Sequence, residues 1–306
     1  EDFARPLGLF LQGGGCLGAW QAGALQVLAE SGLRFDAVMG YSIGAVNGAA
    51  LASGRLPEAL AYWRKLDACT LKPRLGLRPL SFFSPEPLRA FLGWARDEDA
   101  AKSALLCDYT VISSCPAEGA PINARFSPGG RAQWDGPLME QALASCAIPL
   151  VFPPVDLDYR GRRVRLIDAG VPMPTPLDLS PLADCASILV LEMVRADEIG
   201  RSAWSPWRRL DQLGREAGRR LVDEGLAPLL RGGRSPRVLR LTPSRRLRPI
   251  VLDFRRAGLR EMLERGAADA RVAAQRMVTG EPAGTCERSA VTGTRSRPTI
   301  SGWKVQ

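Results

Sequence analysis

The segment LGLFLQGGGCLGAWQAGALQVLAESGLRFDAVMGYSIG, residues 7–44, alternates strand and helix signals twice. Leu7–Leu11 is a short apolar run that ends in glycines, and apolar positions then recur at helical spacing over residues 19–30. A second apolar run covers residues 37–39, and residues 43–51 predict a helix rich in small side chains. This alternation predicts an α/β fold, in which a parallel sheet carries helices on its faces.

The rest of the chain continues this pattern less regularly. Strands are predicted at 107–114, 164–167, 187–194 and 238–241, and helices at 57–66, 87–95, 137–147, 207–230 and 254–277. Residues from about 69 to 85 are rich in Pro, Arg and Leu and are predicted to form a loop. We therefore expect one domain over residues 5–279, with a helical C-terminal part at about 200–279, and a disordered tail over 280–306.

Composition excludes several classes of protein. The chain of 306 residues is 46% hydrophobic and 24% charged, as is usual for globular proteins. It contains no run of eighteen apolar residues and no visible signal peptide, so we expect a cytoplasmic protein or one bound peripherally to a membrane. Its seven cysteines form no Cys-x-x-Cys pair and there is no histidine. We expect free thiols, no metal site and no cofactor.

The chain is basic, with a formal net charge of +9 that comes almost entirely from arginine. No sequence motif for nucleic-acid binding accompanies the charge, so no nucleic-acid partner is expected. Tryptophans 204 and 207 precede an arginine-rich stretch, 208–220, that could lie on an anionic membrane. An ordinary solvated helix explains the same pattern.

The stretch GYSIG has the form Gly-x-Ser-x-Gly between a predicted strand and a predicted helix, the pattern of a nucleophile elbow. The flanking glycines allow backbone to approach closely, and the helix N-terminus favours negative charge at the serine. A small-residue packing turn is the alternative. The elbow consists of Gly40, Tyr41, Ser42, Ile43 and Gly44.

Because the chain has no histidine, a Ser-His-Asp triad within it is excluded, and the base must be a lysine or a carboxylate. Asp168 ends the predicted strand 164–167 and is followed by Ala169 and Gly170. The carboxyl ends of parallel strands meet at one edge of a sheet, so Ser42 and Asp168 are predicted to meet there. An apolar pocket would raise the pKa of Asp168 and make it a better base. The alternative role for Asp168 is to cap a turn.

The glycine-rich loop between the first strand and helix has two interpretations. It fits the Gly-x-Gly-x-x-Gly pattern of dinucleotide-binding proteins, which also requires an acidic residue at the end of the second strand. Asp36 has nearly the right spacing but precedes that strand. We favour an oxyanion hole, in which backbone N–H groups of the loop stabilise charge on an ester oxygen. The loop residues are Gly13, Gly14, Gly15, Cys16, Leu17 and Gly18.

These three motifs, GGGCLG at 13–18, GYSIG at 40–44 and DAG at 168–170, together resemble the patatin-like phospholipase family. The stretches ASCAIPLVFPPV at 144–155 and VPMPTPLD after the DAG motif are similar to the family as well, so the resemblance covers about 5–195. It implies a three-layer α/β/α fold that cleaves lipid esters through an acyl-enzyme. In that family pattern Ser42 is the nucleophile, Asp168 the general base, and the 13–18 loop the oxyanion hole.

The chain departs from the family pattern at two positions. Leu17 stands where the family usually has Arg or Lys, and Ala169 stands where it has Gly. If position 169 requires a positive φ, Asp168 would be displaced. A serine acyl hydrolase is therefore the first hypothesis, a catalytically silent lipid-binding protein is the second, and a nucleotide-binding protein is the third.

Overall fold

The computed structural model describes residues 3–67, 73–77, 80–200, 205–233, 235–279 and 286–288. The alternation of strand and helix in the N-terminal segment is present in it. The elements are β1 (Leu7–Leu11), α1 (Gly18–Glu30), β2 (Ala37–Tyr41), α2 (Ile43–Ala52) and α3 (Leu56–Lys65). A short 3₁₀ turn over Gly15–Leu17 connects the glycine loop to α1.

The remaining elements follow in chain order. They are β3 (Pro73–Leu77), β4 (Leu80–Phe83), α4 (Glu86–Phe91), α5 (Glu98–Ala104), β5 (Asp108–Cys115), β6 (Ala120–Phe126), α6 (Leu138–Ser145), β7 (Val155–Tyr159), β8 (Arg162–Asp168), β9 (Ser187–Leu191), α7 (Pro206–Arg231), β10 (Arg237–Leu241), α8 (Arg256–Thr279) and β11 (Cys286–Arg288). Part of the predicted 69–85 loop thus forms the small β3–β4 sheet. Of the predicted tail, residues 286–288 pair with β10, and the other residues lie outside the described ranges.

The main sheet is mixed and has the order β11-β10-β9-β1-β2-β5-β8-β7, with β6 paired to β5. Its five central strands are parallel to one another and lie in the order β10-β9-β1-β2-β5. The outer strands β11, β6, β8 and β7 pair in an antiparallel manner. The expected parallel centre is therefore present.

Two hydrophobic cores cover the two faces of this sheet. Leu7, Leu9 and Leu11 of β1 belong to a core that is completed by side chains of α1, α2, α3, α6 and α8. Phe10, between them, belongs to the core on the opposite face, where Val222 and Leu226 of α7 are buried. Alternate residues of a strand point to opposite faces, so β1 supplies both cores. The predicted three-layer α/β/α fold is confirmed.

Strand β8 does not run in the direction that the sequence suggested. We expected Asp168 at the end of a parallel strand, but β8 pairs antiparallel with β5. Residues 155–159 and 162–168 form a hairpin, which the sequence analysis did not separate into two strands. Its turn contains Arg160 and Gly161, both with positive φ, as in the favoured two-residue hairpin turns.

Asp168 nevertheless reaches the edge of the sheet where β2 ends. Strand β2 pairs with residues 108–112 of β5, and Tyr41 lies opposite Ile112. Strand β6 occupies the other edge of β5, so β8 must use the edge that β2 leaves free. Asp168 lies opposite Ser113, the next residue of β5. Strands β2 and β8 therefore meet end to end along β5.

The other sequence predictions have outcomes in the described residues. Five cysteines there are free, of which Cys16, Cys115, Cys146 and Cys185 are buried. No helix among the described ranges is long and apolar enough to span a membrane. Trp204 lies outside those ranges.

Candidate active site

Ser42 stands alone between β2 and α2 in a conformation that side chains rarely adopt. Its φ is 54° and its ψ is −134°, and its side chain is only 6% exposed. Strained backbone of this kind costs of the order of 1–3 kcal/mol and persists where the surrounding structure holds it. The serine therefore sits on the sharp strand-to-helix turn that the Gly-x-Ser-x-Gly pattern predicted.

The glycines of the motif are required by close approach of backbone. A Cβ atom on Gly40 would lie 2.7 Å from the carbonyl carbon and oxygen of Gly44. A Cβ atom on Gly44 would overlap the carbonyl oxygen of Leu11, at the end of β1. The two glycines thus let the turn fold back on itself and pack against β1.

Ser145 holds the turn from the side of α6. The Ser42 N–H donates to Ser145 Oγ at 2.8 Å, and Ser145 Oγ donates to the Ile112 carbonyl at 2.6 Å. Ser145 thus ties the elbow to β5. The sequence analysis quoted this serine within the stretch 144–155 but gave it no role. Its role follows from the Ser42 N–H, which bonds to a side chain instead of a backbone carbonyl. The sequence alone gives no sign of this need.

Asp168 is a buried carboxylate beside this turn, with 3% of its surface exposed. Its Oδ1 accepts a hydrogen bond of 2.6 Å from the Gly170 N–H. Its Oδ2 is buried and has no hydrogen-bond partner among the described residues. Burial raises the pKa of Asp168 to about 6, although the nearby Ser42 hydroxyl and the Gly170 N–H lower it in part. A carboxylate with that pKa suits general-base chemistry close to neutral pH.

Ala169 fits the aspartate turn without strain. Among the described residues, the non-glycine positions with positive φ are Ser42, Leu150 and Arg160, so Ala169 does not need the freedom of glycine. Its side chain is buried in the α7-side core. Gly170, in contrast, lies so close to Asp168 that a Cβ there would be 2.9 Å from Oδ1.

Several backbone N–H groups of the glycine loop, residues 13–18, already have hydrogen-bond acceptors within the protein. The Cys16 N–H donates to the Val251 carbonyl at 2.8 Å, the Leu17 N–H donates to Gly14, and the Gly18 N–H donates within the 3₁₀ turn. These three N–H groups already have acceptors within the protein, so fewer donors of the loop are open to an ester oxygen than the sequence predicted. The Gly13 N–H lies near the Tyr41 hydroxyl, whose pKa is raised by burial and lowered only in part by this N–H. Gly14 and Gly15 remain as N–H groups without an acceptor in the described part of the chain.

The dinucleotide interpretation of this loop fails at Asp36. Its carboxylate accepts a hydrogen bond from the Leu7 N–H at 2.6 Å and pairs with Arg5 at 2.8 Å. Both contacts lie at the start of β1, at the edge of the sheet opposite to the glycine loop. The acidic group that a ribose would need is therefore not at the loop.

Two cavities meet at Ser42. The first, the apolar cavity, is lined mainly by hydrophobic side chains, among them Val46, Tyr62, Trp63, Leu88, Phe91, Phe152 and Phe254. The second, the motif cavity, is lined by Gly13–Gly15, Asp168, Gly170 and residues of α7 and 250–252. Ser42, Gly15, Ile148 and Leu252 line both. Leu17 lines neither, because its side chain is buried in the core.

Helix α7 holds one wall of the motif cavity through buried charges. Arg215 pairs with Glu198 and Asp211, and it donates to the carbonyls of Leu247 and Pro249. Asp211 in turn accepts from the Val251 N–H at 3.0 Å, and the Val251 carbonyl accepts from the glycine loop. The segment 247–251 is thus fixed between α7 and the loop. Arg215 is not on the solvated face that the sequence suggested for 208–220.

Comparison with known proteins agrees with this fold. The family described as Patatin-like phospholipase matches residues 9–180, more than half of the 306 residues. The chain belongs to this family of lipid hydrolases, as its motifs predicted.

The chain is also similar to two relatives and to one solved structure. An uncharacterized NTE family protein of Mycobacterium tuberculosis is 31% identical over 198 residues, which are 63% of this chain and 50% of the relative. The patatin-like phospholipase domain-containing protein 6 of Homo sapiens is 25% identical over 233 residues, 69% of this chain and 16% of that protein. The crystal structure of VipD from Legionella pneumophila aligns with a TM-score of 0.44 and 14% identity, over 88% of this chain and 67% of that one. The chain spans about half the length of the mycobacterial relative.

Proposed function

We propose that this protein is a serine acyl hydrolase that cleaves acyl esters of lipids through a dyad of Ser42 and Asp168. The observation that carries the proposal is the shared cavity: a strained, buried serine and a buried carboxylate with a raised pKa line it together. Family membership supports lipid ester hydrolysis at the level of the class. The dyad and its details are the part that requires a test.

In the acylation step, the Asp168 carboxylate accepts the proton of the Ser42 hydroxyl as Oγ attacks the ester carbonyl carbon. The C=O electron pair moves to the oxygen, where the N–H groups of Gly14 and Gly15 and the N-terminus of α2 stabilise the charge. The tetrahedral species then expels the alcohol, which takes the proton from Asp168. The products are the alcohol and an acyl group bound to Ser42.

In the deacylation step, water replaces the alcohol. Asp168 accepts a proton from water while the water oxygen attacks the acyl carbon, and a second tetrahedral species forms. Its collapse breaks the bond to Ser42 Oγ, which recovers the proton from Asp168. A carboxylic acid leaves, and the enzyme returns to its starting state.

The two cavities give the two halves of a lipid ester different surroundings. The apolar cavity suits the acyl chain, because its walls are aliphatic and aromatic; Tyr62 and Phe91 stack there with ring centroids 4.6 Å apart. The motif cavity suits the ester group and the alcohol half, because it contains the glycine loop and Asp168. Ser42 lies where the two meet, at the place where an ester bond would have to be.

The two sequence departures give little support to the alternative of a silent lipid-binding protein. Ala169 needs no positive φ, and the Leu17 side chain reaches neither cavity. Neither residue therefore removes a reacting group or blocks the site.

The test combines an activity-based probe with a panel of lipid esters. A fluorophosphonate should label the native protein, and Ser42→Ala should lose both the label and ester turnover. Ser84→Ala is the matched control, because Ser84 lines the apolar cavity but is not on the elbow. Asp168→Asn should lower turnover by roughly 10³-fold or more. Equal labelling of Ser42→Ala and native protein, or turnover that survives both dyad substitutions, would reject the proposal.

A further inference from the structure

Large hydrophobic side chains are exposed around the mouth of the motif cavity. On α7, Trp207 is 76% exposed, Leu210 63% and Leu213 57%. Ile250 and Leu252, on the segment that follows β10, are exposed as well. We call these five residues the docking face. Exposed apolar groups that cluster in this way mark interaction sites rather than chance surface composition.

The docking face is continuous with the candidate active site. Trp207, Leu210, Ile250 and Leu252 all line the motif cavity together with Ser42 and Asp168. Leu213 lies one turn beyond Leu210 and next to Gly214, another residue of the cavity wall. Whatever covers this face would therefore also face the opening that leads to Ser42.

The same helix explains why these side chains are not part of the core. Gln212, Arg215, Arg219, Val222 and Leu226 are spaced for one face of α7, and all are buried against the sheet side. Trp207, Leu210 and Leu213 lie outside that stripe. The helix thus has an anchored face and a separate apolar face without a partner in the described chain.

Positive charge accompanies the docking face. Arg208 and Arg209 follow Trp207 directly, and Arg248 precedes Ile250 by two positions; all three are exposed. Within the described residues none of the three has a carboxylate at ion-pair distance, unlike Arg255, which pairs with Asp253. Asp211, an acidic residue of the cavity wall, is already paired with Arg215. An exposed apolar face with unpaired cations beside it complements an anionic, hydrocarbon-containing surface.

We propose that the docking face binds the surface of an anionic lipid bilayer, with Trp207, Leu210, Leu213, Ile250 and Leu252 in the interface and Arg208, Arg209 and Arg248 against the headgroups. This inference rests on the proposed function, because docking would serve to deliver lipid to Ser42. Ser42 is buried, so a lipid must leave the bilayer to reach it. Docking at the cavity mouth would let the acyl chain pass from one apolar environment into another without crossing water.

Vesicle co-sedimentation of the Ser42→Ala protein tests the proposal without any turnover. We expect binding to vesicles of phosphatidylcholine with phosphatidylserine and much weaker binding to phosphatidylcholine alone. Arg208→Gln/Arg209→Gln should weaken the binding to anionic vesicles by roughly 30-fold, since each arginine near such a surface contributes about 1 kcal/mol. Trp207→Ser should weaken binding to both compositions.

Matched controls separate docking from general surface effects. Leu106 is an exposed leucine, and Arg34 and Arg96 are exposed arginines. None of the three lines either cavity. Leu106→Ser and Arg34→Gln/Arg96→Gln should bind vesicles as the parent does. Equal binding to both vesicle compositions, or equal losses in the control and docking variants, would overturn the proposal.

A kinetic comparison separates this proposal from the proposed function. For this comparison the variants keep the native Ser42. Leu213→Ser and Arg208→Gln/Arg209→Gln should then hydrolyse a water-soluble short-chain ester at the native rate but act more slowly on esters in anionic vesicles. These residues line neither cavity. A protein that binds vesicles but cleaves no ester would refute the hydrolase and keep the docking face. A protein that cleaves soluble esters but shows no preference between the vesicle compositions would refute the docking face and keep the hydrolase.

Discussion

The serine turn and the aspartate turn supply the two halves of the proposed dyad, and they are built in different ways. Ser42 has a positive φ and stands between Gly40 and Gly44, where neighbouring backbone leaves no room for a Cβ atom. Asp168 and Ala169 have ordinary backbone conformations, and the aspartate gains its raised pKa from burial. Strain is thus confined to the nucleophile, while the base depends on its surroundings.

This difference explains which departures from a motif the fold can tolerate. A side chain on Gly44 would meet the Leu11 carbonyl, which belongs to the central strand β1 and cannot easily move. The methyl group of Ala169 instead fills space in the α7-side core. An added methyl group at Gly44 of the strained turn should therefore have a large effect, and a change at Ala169 of the relaxed turn a small effect.

Gly44→Ala should have the largest effect. The new Cβ would overlap the Leu11 carbonyl oxygen, so the elbow or β1 has to shift. We expect the free energy of unfolding to fall by roughly 3 kcal/mol, as for overpacked cores, and fluorophosphonate labelling of Ser42 to disappear. Gly93→Ala is the control, because no atom lies within 4 Å of its Cβ position. Native stability and labelling in Gly44→Ala would show that the elbow does not depend on this contact.

Asp168→Asn should separate activity from stability. The pKa of Asp168 is raised from 3.8 to about 6, so the folded protein binds a proton more readily than the unfolded chain, and ionisation of Asp168 costs stability as pH rises through this window. The asparagine variant avoids that cost. Its unfolding free energy should exceed that of the native protein by an amount that grows from pH 4 to pH 6 and then levels off, at of the order of 3 kcal/mol.

Turnover should show the opposite dependence. Native activity should fall as pH decreases through about 6, because the base becomes protonated, and the variant should be inactive throughout. Denaturant titrations and initial rates over the same pH series measure both quantities. An asparagine variant that is less stable than the native protein at pH 8 would contradict the role of burial.

Ser145→Ala should have an intermediate effect. It leaves the buried Ser42 N–H without its acceptor, which costs about 1–3 kcal/mol, and we expect the rate of Ser42 labelling to drop by roughly tenfold. Ser53→Ala is the matched control, since the buried Ser53 hydroxyl donates only to the Ala49 carbonyl of its own helix. Equal labelling rates in the two variants would mean that Ser145 does not position the elbow.

Ala169→Gly should have the smallest effect. Turnover should stay within about twofold of the native value, because the turn already has the required conformation. Stability should fall by about 1 kcal/mol, from the lost methyl group and the greater freedom of the unfolded chain. A large gain in turnover would mean instead that Ala169 displaces Asp168 from its best position.

The sequence predicted the part of the fold that depends on local pattern. The alternation over 7–44 was enough for the parallel centre of the sheet and its helices, because strand and helix have different periods. The convergence of the serine and aspartate turns was also predicted, but from the wrong strand direction. The stretch VDLDYRGRRVRLID at 155–168 alternates polar and apolar residues on both sides of Arg-Gly, a hairpin signal that was available.

The buried charges could not be predicted in the same way. Arg215 and Arg219 look like surface residues of a polar helix, but they pair with Glu198 and Glu192, which lie 17 and 27 positions away. Periodicity describes a helix by itself and does not name a partner on another element. The acceptor of the Cys16 N–H, which the sequence placed in the predicted oxyanion loop, is likewise the Val251 carbonyl, which is remote in sequence.

The end-to-end meeting of β2 and β8 has a consequence for how the protein tolerates changes in length. Both strands are measured against β5, where Tyr41 lies opposite Ile112 and Asp168 lies opposite Ser113. One residue step along a strand, about 3.4 Å, therefore sets the offset between the proposed nucleophile and the proposed base. The long connections between the two strands do not set that spacing, so insertions there should leave the proposed dyad in place, whereas one residue inserted between Ile112 and Ser113 of β5 should separate it.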